Sequence, residues 1–426
     1  MPPCLAGAEV NQEKWMNADK INRAKGALVG LALGDALGTT LEFQPRPAKP
    51  VVTDLVGGGP FMLEPGQWTD DTSMMLCLAD SLIERGENAP ADQMRRYINW
   101  RDYGYNSCTG TCFDIGTTVA LALKKFSAEG IALAGSTAPR SAGNGSLMRT
   151  APVALFMHHA PLTAVFETTK LASATTHAEQ RCIEACQYIT GLIHMLLNSD
   201  NTPTKARLFN AFHSAQYAWI KTLHPDSLAI IQGRYRLKSR DKISSSGYVI
   251  HSLEAALWCF WHSETFEEGA LLAANLGDDA DSVAAIYGQL AGAYYGYDAL
   301  PESWLSRLAW HDDIEQRANL LIIRQDNTVL KRFIADCQDD IENNMPLSAE
   351  KNQLMLTGFG WNRWITNNMS LREKERISHA SVAECLSLVT VYTRGDRYIE
   401  GLLHTSASDG TLDAIINRLA ILIQDE

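Results

Sequence analysis

The sequence predicts an all-α protein, and three observations carry that prediction. Apolar residues recur at helical spacing in segment after segment. Strand-like alternation is scarce. Two helical segments also carry small residues at every fourth position: Gly26, Gly30, Gly34 and Gly38 in one, Gly288, Gly292 and Gly296 in the other. Each interior glycine costs a helix about 1 kcal/mol relative to alanine. Such rows are therefore expected where two elements approach backbone to backbone in a tightly packed helical core. Pairing of membrane helices uses the same spacing, but Lys20, Arg23, Lys25 and Asp35 interrupt the first segment.

Taken in order, residues 1–19 are polar and pattern-poor. They are expected to be a frayed N-terminal extension, or else a partner-binding arm anchored by Trp15 and Met16. A helix is predicted over Ile21–Leu37. Residues 39–68 are irregular around Gly57-Gly58-Gly59-Pro60, and a long loop of this kind is often functional. Asp71–Arg85 reads as a helix, apolar at Met74, Met75, Leu78, Leu82 and Ile83 and ended by Gly86. Further helices are predicted near 91–101, 114–126, 148–156, 161–171, 178–197, 204–220, 248–261, 266–274 and 282–295, with Pro301 at the exit. Residues 20–335 thus form one mainly helical domain. Asn343-Asn344-Met345-Pro346 reads as a linker. Residues 345–426 read as a small α-rich domain, with Trp361, Trp364, helices near 380–392 and 412–423, and the segment Arg394-Gly395-Asp396-Arg397.

Bulk properties narrow the function. The chain has 426 residues, 46% hydrophobic and 20% charged, enough for a large core. A net charge of −12 argues against a general nucleic-acid or anionic-membrane surface. No secretory leader and no membrane span is legible, so a cytoplasmic protein is expected. The nine cysteines are scattered. Cys108/Cys112 and Cys182/Cys186 share a spacing, but no zinc knuckle is present, and buried reduced thiols are expected. There is no G-x-S-x-G elbow, Walker loop or dinucleotide fingerprint.

What remains is oxygen chemistry. Gln67-Trp68-Thr69-Asp70-Asp71-Thr72 has a distant echo in Gly277-Asp278-Asp279-Ala280-Asp281-Ser282. Each packet of carboxylates and hydroxyls stands where a helix opens. Singly, such acids are most often helix caps. Together they suit one site for a hard divalent cation such as Mg²⁺ or Mn²⁺. A helix N-terminus favours an ionised carboxylate, so their pKa values are expected to be depressed. Ser141-Ala142-Gly143-Asn144-Gly145-Ser146-Leu147-Met148-Arg149 could turn several amides toward one point as an anion nest, with Arg149 adding charge. His177 and Asp114 stand at predicted helix starts, where a structural role is the ordinary one. Glu42 lies on the irregular segment, where a solvated surface glutamate is the default.

In this order the pieces resemble the ADP-ribosylglycohydrolase family, relatives of the dinitrogenase-reductase-activating glycohydrolases. The resemblance runs over about residues 21–310. It rests on Gly30-Leu31-Ala32-Leu33-Gly34-Asp35-Ala36-Leu37-Gly38, the Thr69-Asp70-Asp71 packet, Phe113-Asp114-Ile115-Gly116, the Gly143–Arg149 stretch, Thr176-His177, and Asn275 through Ser282. It implies a compact orthogonal helical bundle with two divalent cations, Mg²⁺ or Mn²⁺, at the base of a cleft. Thr69, Asp70, Asp71, Asp279, Asp281 and Ser282 would hold the metals. Ser141, Gly143, Asn144, Gly145, Ser146 and His177 would bind ADP-ribose, and Glu42 would close over the site. The proton would be managed by one of Asp279, Glu42 and Asp114. The family's second packet usually reads G-G-D-T-D-T, so Asp278 and Ala280 are departures here. The C-terminal region resembles a domain of unknown function found in some bacterial members.

Three readings follow. The first is removal of ADP-ribose from an ADP-ribosylated protein, arginine-linked first among acceptors, as immunity against an ADP-ribosyltransferase toxin. The alternative is an immunity protein that blocks a toxin by direct contact through residues 1–19 or the C-terminal domain. A hydrolase of another ADP-ribose linkage is a third reading.

Overall fold

A computed structural model describes residues 6–323, 327–342, 374–380, 382–395, 405–406 and 408–422. The protein is all-α, with isolated bridges and no strand among the described residues. Its helices are α1 (Ala6–Gly38), α2 (Asp70–Arg85), α3 (Pro90–Tyr103), α4 (Thr117–Glu129), α5 (Ala151–Phe156), α6 (Leu162–Ala174), α7 (Gln180–Leu197), α8 (Lys205–Ala215), α9 (Tyr217–Ile220), α10 (Pro225–Ile231), α11 (Val249–Trp261), α12 (Phe266–Ala274) and α13 (Ala280–Tyr295). Further helices follow at Glu302–Leu305, His311–Ile323, Asn327–Glu342, Lys374–Ile377, Val382–Gly395 and Thr411–Leu422.

Several boundaries differ from the sequence expectation. α1 begins at Ala6 rather than near Ile21. Residues 8–20 contain no proline or glycine and are rich in Ala, Glu, Gln, Lys and Met, all good helix formers. The predicted helix 204–220 breaks at Gln216 into α8 and α9. α4 starts at Thr117, behind an extended Gly116, so Asp114 sits on the preceding loop with a left-handed backbone (φ 56°). The segments Trp361, Trp364 and Asp396-Arg397 lie outside the described residues.

The small-residue rows meet each other. Along antiparallel α1 and α13, Gly26 faces Gly292, Gly30 faces Gly288, Gly34 faces Ala284, and Gly38 faces Ala280. A Cβ on Gly26 would lie 2.2 Å from the Gly292 carbonyl oxygen, and one on Gly34 only 2.0 Å from that of Ala284. Gly296 extends the register to Asn22. This explains Ala280: it is fully buried and belongs to the seam, where a small residue fits. Around the seam, α7 and α11 add two largely buried helices. Phe166, Tyr188, Phe212 and Trp219 fill the space beside α7 with edge-on and tilted ring contacts, and Phe209 stacks on Tyr188.

The chain divides into two compact units, one of residues 1–82 with 87–311 and one of 83–86 with 312–426. The second unit has its own core, including Leu321, Phe333, Ile334, Leu388, Val389, Ile415 and Leu419. There Arg418 Nε donates to the Ala380 carbonyl at 3.0 Å. No helix among the described residues is long and apolar enough to cross a membrane.

Candidate active site

The seam sets the first acid in place. Asp35, one residue past Gly34, is fully buried. Its carboxylate accepts from the Thr69 amide (3.0 Å), the Thr69 hydroxyl (2.9 Å), the Thr72 amide (3.0 Å) and the Thr72 hydroxyl (2.7 Å). Asp35 thereby satisfies the open amides at the start of α2, as a cap supplied from another helix. That leaves Asp70 and Asp71 free of the capping task. Sequence reading passed over Asp35 as a polar interruption; a lone acid within an apolar glycine seam was the available signal.

The second turn also keeps its acid out of the capping task. Asp279 is the N-cap residue of α13, yet its side chain makes no capping bond. Instead its Oδ2 accepts from Asn144 Nδ2 at 2.5 Å. The two packets converge: Thr69 Oγ1 lies 3.2 Å from Asp71 Oδ2 and 3.4 Å from Asp281 Oδ2, and Ser282 Oγ lies 3.4 Å from Asp71 Oδ2. Carboxylate oxygens of Asp35, Asp71 and Asp281 fall within 4.8 Å of one another, as do those of Glu42, Asp114 and Asp281. Asp281 belongs to both groups.

These residues fit a cation. Oδ1 of Asp71 and Oδ1 of Asp281 are buried without any hydrogen-bond partner, and no Lys or Arg side chain bonds to any acid of the cluster among the described residues. Buried carboxylates that cannot find such compensation coordinate metals or take up protons. Without an ion, burial and mutual repulsion push Asp70, Asp71 and Asp281 well above the usual carboxylate range. The depression expected from the helix N-termini is thus overturned, because desolvation outweighs a dipole term of about 1 kcal/mol. Glu42 is likewise not a surface glutamate. It is 1% exposed, and burial with the neighbouring Asp114 charge raises it to about 9.

A pH dependence follows. Burial raises Asp114 to about 7 and Asp279 to about 6. In the unfolded chain all three acids titrate near 4. Between about pH 4 and 9 the folded state therefore holds protons that the unfolded state has released, and stability falls as pH rises. With cations chelated, the Tm is expected to drop steadily from pH 5.5 to 8.5. Saturating Mg²⁺ should flatten that slope by favouring the ionised acids. A chelated protein with a level Tm across this range would contradict the buried-acid arrangement.

The Gly143–Gly145 loop lies across from the acids. It is tied to the start of α11 by Asn144 N–H donating to the Gly247 carbonyl (3.1 Å) and Val249 N–H to that of Ala142 (3.0 Å). His177 is 2% exposed and supports the loop from beneath: a Cβ on Gly145 would sit 2.8 Å from its Cε1. Its Nδ1 pairs with Thr176 Oγ1 at 2.8 Å, and burial beside Arg149 lowers its pKa to about 3. Ser146 turns its hydroxyl inward to Ser173 Oγ at 2.9 Å, so it offers the loop's open side no side-chain contact. Ser141 remains partly exposed, its hydroxyl donating to the Ala138 carbonyl at 2.6 Å. Arg149 lends its charge to the loop from within and is not presented as an exposed ligand. It is buried, donates to the Gly145 carbonyl and to Thr176 Oγ1, and stacks on Tyr97 with its guanidinium 4.9 Å from the ring centre. Asn144, bonded to Asp279, is the loop residue that meets the acids, and the Gly143 and Asn144 amides are spent on the Ser141 and Gly247 carbonyls, so the several open amides expected of an anion nest reduce to that of Gly145.

Asp278 has its own geometry. It adopts a left-handed backbone (φ 61°), which is the conformation glycine favours and Asp tolerates among L residues. The replacement of the family's glycine therefore leaves the turn intact.

Acids from two helix starts, closed on one point beneath a glycine-rich loop, are the signature of a class. The profile of the ADP-ribosylglycohydrolase family matches residues 16–330, and the chain belongs to that family of hydrolases. A family of unknown function, DUF6508, matches residues 310–425. Among individual relatives, the ADP-ribosylarginine hydrolase Tri1 of Pseudomonas putida (strain GB-1) is 46% identical over 305 residues, covering 71% of this chain and 79% of that protein. The protein of the same name from Serratia proteamaculans (strain 568) is 42% identical, covering 74% and 86%. An ADP-ribosyl-[dinitrogen reductase] glycohydrolase of Rhodospirillum rubrum is 32% identical, covering 67% and 90%. A solved structure titled as an ADP-ribosylglycohydrolase-related protein complex superposes with a TM-score of 0.63 at 38% identity, covering 72% of this chain and 99% of that one.

Proposed function

We propose that the protein hydrolyses the bond between ADP-ribose and an arginine side chain of a modified protein. The observation that carries this reading is the convergence of Asp71 and Asp281, each with an unpartnered buried oxygen, on a point within reach of Glu42 and Asp114. Two divalent cations, Mg²⁺ or Mn²⁺, would be held by Thr69, Asp70, Asp71, Asp279, Asp281 and Ser282, with Asp35 orienting the first packet. When bound, such ions fix hydroxyls and water and stabilise charge at the reacting centre. The Gly143 and Asn144 amides donate to the carbonyls of Ser141 and Gly247, which leaves the Gly145 amide to meet the pyrophosphate and to offer local attraction for an anion on a chain of net charge −12. Asn144 holds Asp279 in a single orientation. Hydrolysis at the anomeric carbon develops oxocarbenium character, and the departing guanidine needs a proton. That proton is handled within the trio Glu42, Asp114 and Asp279, of which Glu42 and Asp114 pair with each other and feel the Asp279 charge. The names of the two Tri1 relatives favour arginine as the acceptor. An ADP-ribosyltransferase toxin would supply such a substrate, which makes immunity the setting we favour.

The test is direct. With Mg²⁺ present, the protein should release ADP-ribose from an arginine-linked ADP-ribosyl peptide and lose that activity on chelation. Release from serine-linked peptide alone would reassign the linkage. A second reading, contact inhibition of a toxin, is favoured by the continuation of α1 back to Ala6, which presents residues 6–19 as helix ahead of the seam. Removal of residues 1–19 should weaken toxin binding without affecting peptide hydrolysis if that reading holds.

A further inference from the structure

Two residues beside the proposed proton-handling acids have no task in the reading above. Phe43 follows Glu42, and Asp278 precedes Asp279. Both adopt left-handed backbone, with φ of 58° and 61°. For a bulky L residue such as Phe this costs about 1 kcal/mol or more. The two are locked together: Phe43 N–H donates to the Asp278 carbonyl at 2.7 Å, and Asp278 N–H donates to that of Gln44 at 2.7 Å. The locked backbone holds the Phe43 ring 62% exposed, although burying it would have gained roughly 2 kcal/mol. The Asp278 carboxylate is exposed and makes no hydrogen bond or ion pair among the described residues.

Both side chains line one open cavity of ≈ 570 Å³, together with Arg46, Asp241, Lys242 and Ser245. The cavity adjoins the second acidic turn, since the Ser245 carbonyl accepts the Asp279 amide at 3.0 Å. Arg46 acts on Asp278 by its charge without forming an ion pair with it. Its guanidinium donates to the carbonyls of Leu276, Arg240 and Ile243 at 2.9, 2.7 and 2.6 Å, as an internal clamp. On the acid side, Phe43 begins an aromatic row, with Phe61 at 6.4 Å and Phe113 a further 5.0 Å on. Strain that leaves a ring and an unpaired carboxylate facing the same space persists where it serves a ligand. A planar cation answers both features, stacking on the ring and pairing with the carboxylate.

We propose that Phe43 and Asp278 form the acceptor subsite, which holds the guanidinium-bearing arm of the ADP-ribosylated residue while the glycine loop holds ADP-ribose. This rests on the arginine reading above and makes the subsite the part of the enzyme that selects a cationic acceptor. The test compares the wild type with D278N and F43L, since Asn tolerates the same backbone and Leu keeps the bulk. For each protein, KM and kcat are measured on an arginine-linked ADP-ribosyl peptide, and the affinity for ADP-ribose alone is measured by calorimetry in Mg²⁺. D278N should raise KM about tenfold and F43L about fivefold, with kcat and ADP-ribose affinity staying within about twofold of wild type. An unchanged KM in both variants, or a matching loss of ADP-ribose affinity, overturns the subsite while leaving the arginine reading standing. A wild-type protein that binds ADP-ribose yet releases none from the peptide overturns the arginine reading and the subsite with it.

Discussion

Asp281→Asn is expected to abolish turnover, by about a thousandfold or more, while making the chelated protein more stable rather than less. The two effects share one cause. Asp281 is the acid common to both carboxylate groups, so a single substitution strips a negative ligand from each. Its Oδ1 has no partner to lose. Its charge is repelled by Glu42, Asp71, Asp279 and Asp114. Removing that charge relieves a buried repulsion that only a cation or a proton otherwise offsets. The Tm in chelator should therefore rise, and the further rise that Mg²⁺ gives the wild type should shrink or vanish. Peptide hydrolysis with and without chelator, alongside thermal unfolding, reads both. Turnover that survives in D281N would remove Asp281 from the ligand set.

The second large effect lies away from the chemistry. Gly34→Val should cost about 3 kcal/mol or more, because the added atoms have no rotamer to retreat to. A Cβ there already lies 2.0 Å from a backbone oxygen of α13 and 2.5 Å from the carbonyl carbon. That is a large share of the 5–15 kcal/mol that holds a typical domain together. The seam also carries the site. Asp35 follows Gly34 on α1, and Asp281 follows Ala280 on α13, opposite Gly38. Any variant that folds by letting α1 slip should therefore lose Mg²⁺-dependent stabilisation as well. Gly116→Ala is the control. Its Cβ would meet nothing within 4 Å, so stability should change by no more than about 0.5 kcal/mol. Equal losses from the two substitutions would mean that backbone flexibility, not close approach, explains the glycine rows.

Much of this was legible beforehand. The helical class followed from periodicity, and the two glycine rows announced a close helix pair before their pairing with each other was known. The acid packets were recognisable as a pair because carboxylates and hydroxyls alternated at two helix starts. Other readings failed where tertiary contacts set the environment. Glu42 reads as a surface residue from its local sequence and as a site acid only through the family resemblance, and it is buried. Arg149 looked like a charge for an anion and is spent on Gly145, Thr176 and Tyr97. His177 and Ser146, expected to contact the ligand, are buried and brace the glycine loop. Asp35 was passed over, although it frees Asp70 and Asp71 from capping their own helix.

The sequence by itself determined the kinds of atoms available and the order in which they arrive: oxygen ligands on two turns, a glycine loop between them, and small residues spaced for a seam. These are local properties, written in the chemistry and period of neighbouring residues. Only the tertiary structure decided which oxygens meet. Residues about two hundred positions apart are brought together by the register of α1 against α13, and burial then raises carboxyls that isolated helix ends would have lowered. That register also leaves Phe43 and Asp278 locked in strained backbone at the edge of the site, a placement with no counterpart in any local pattern.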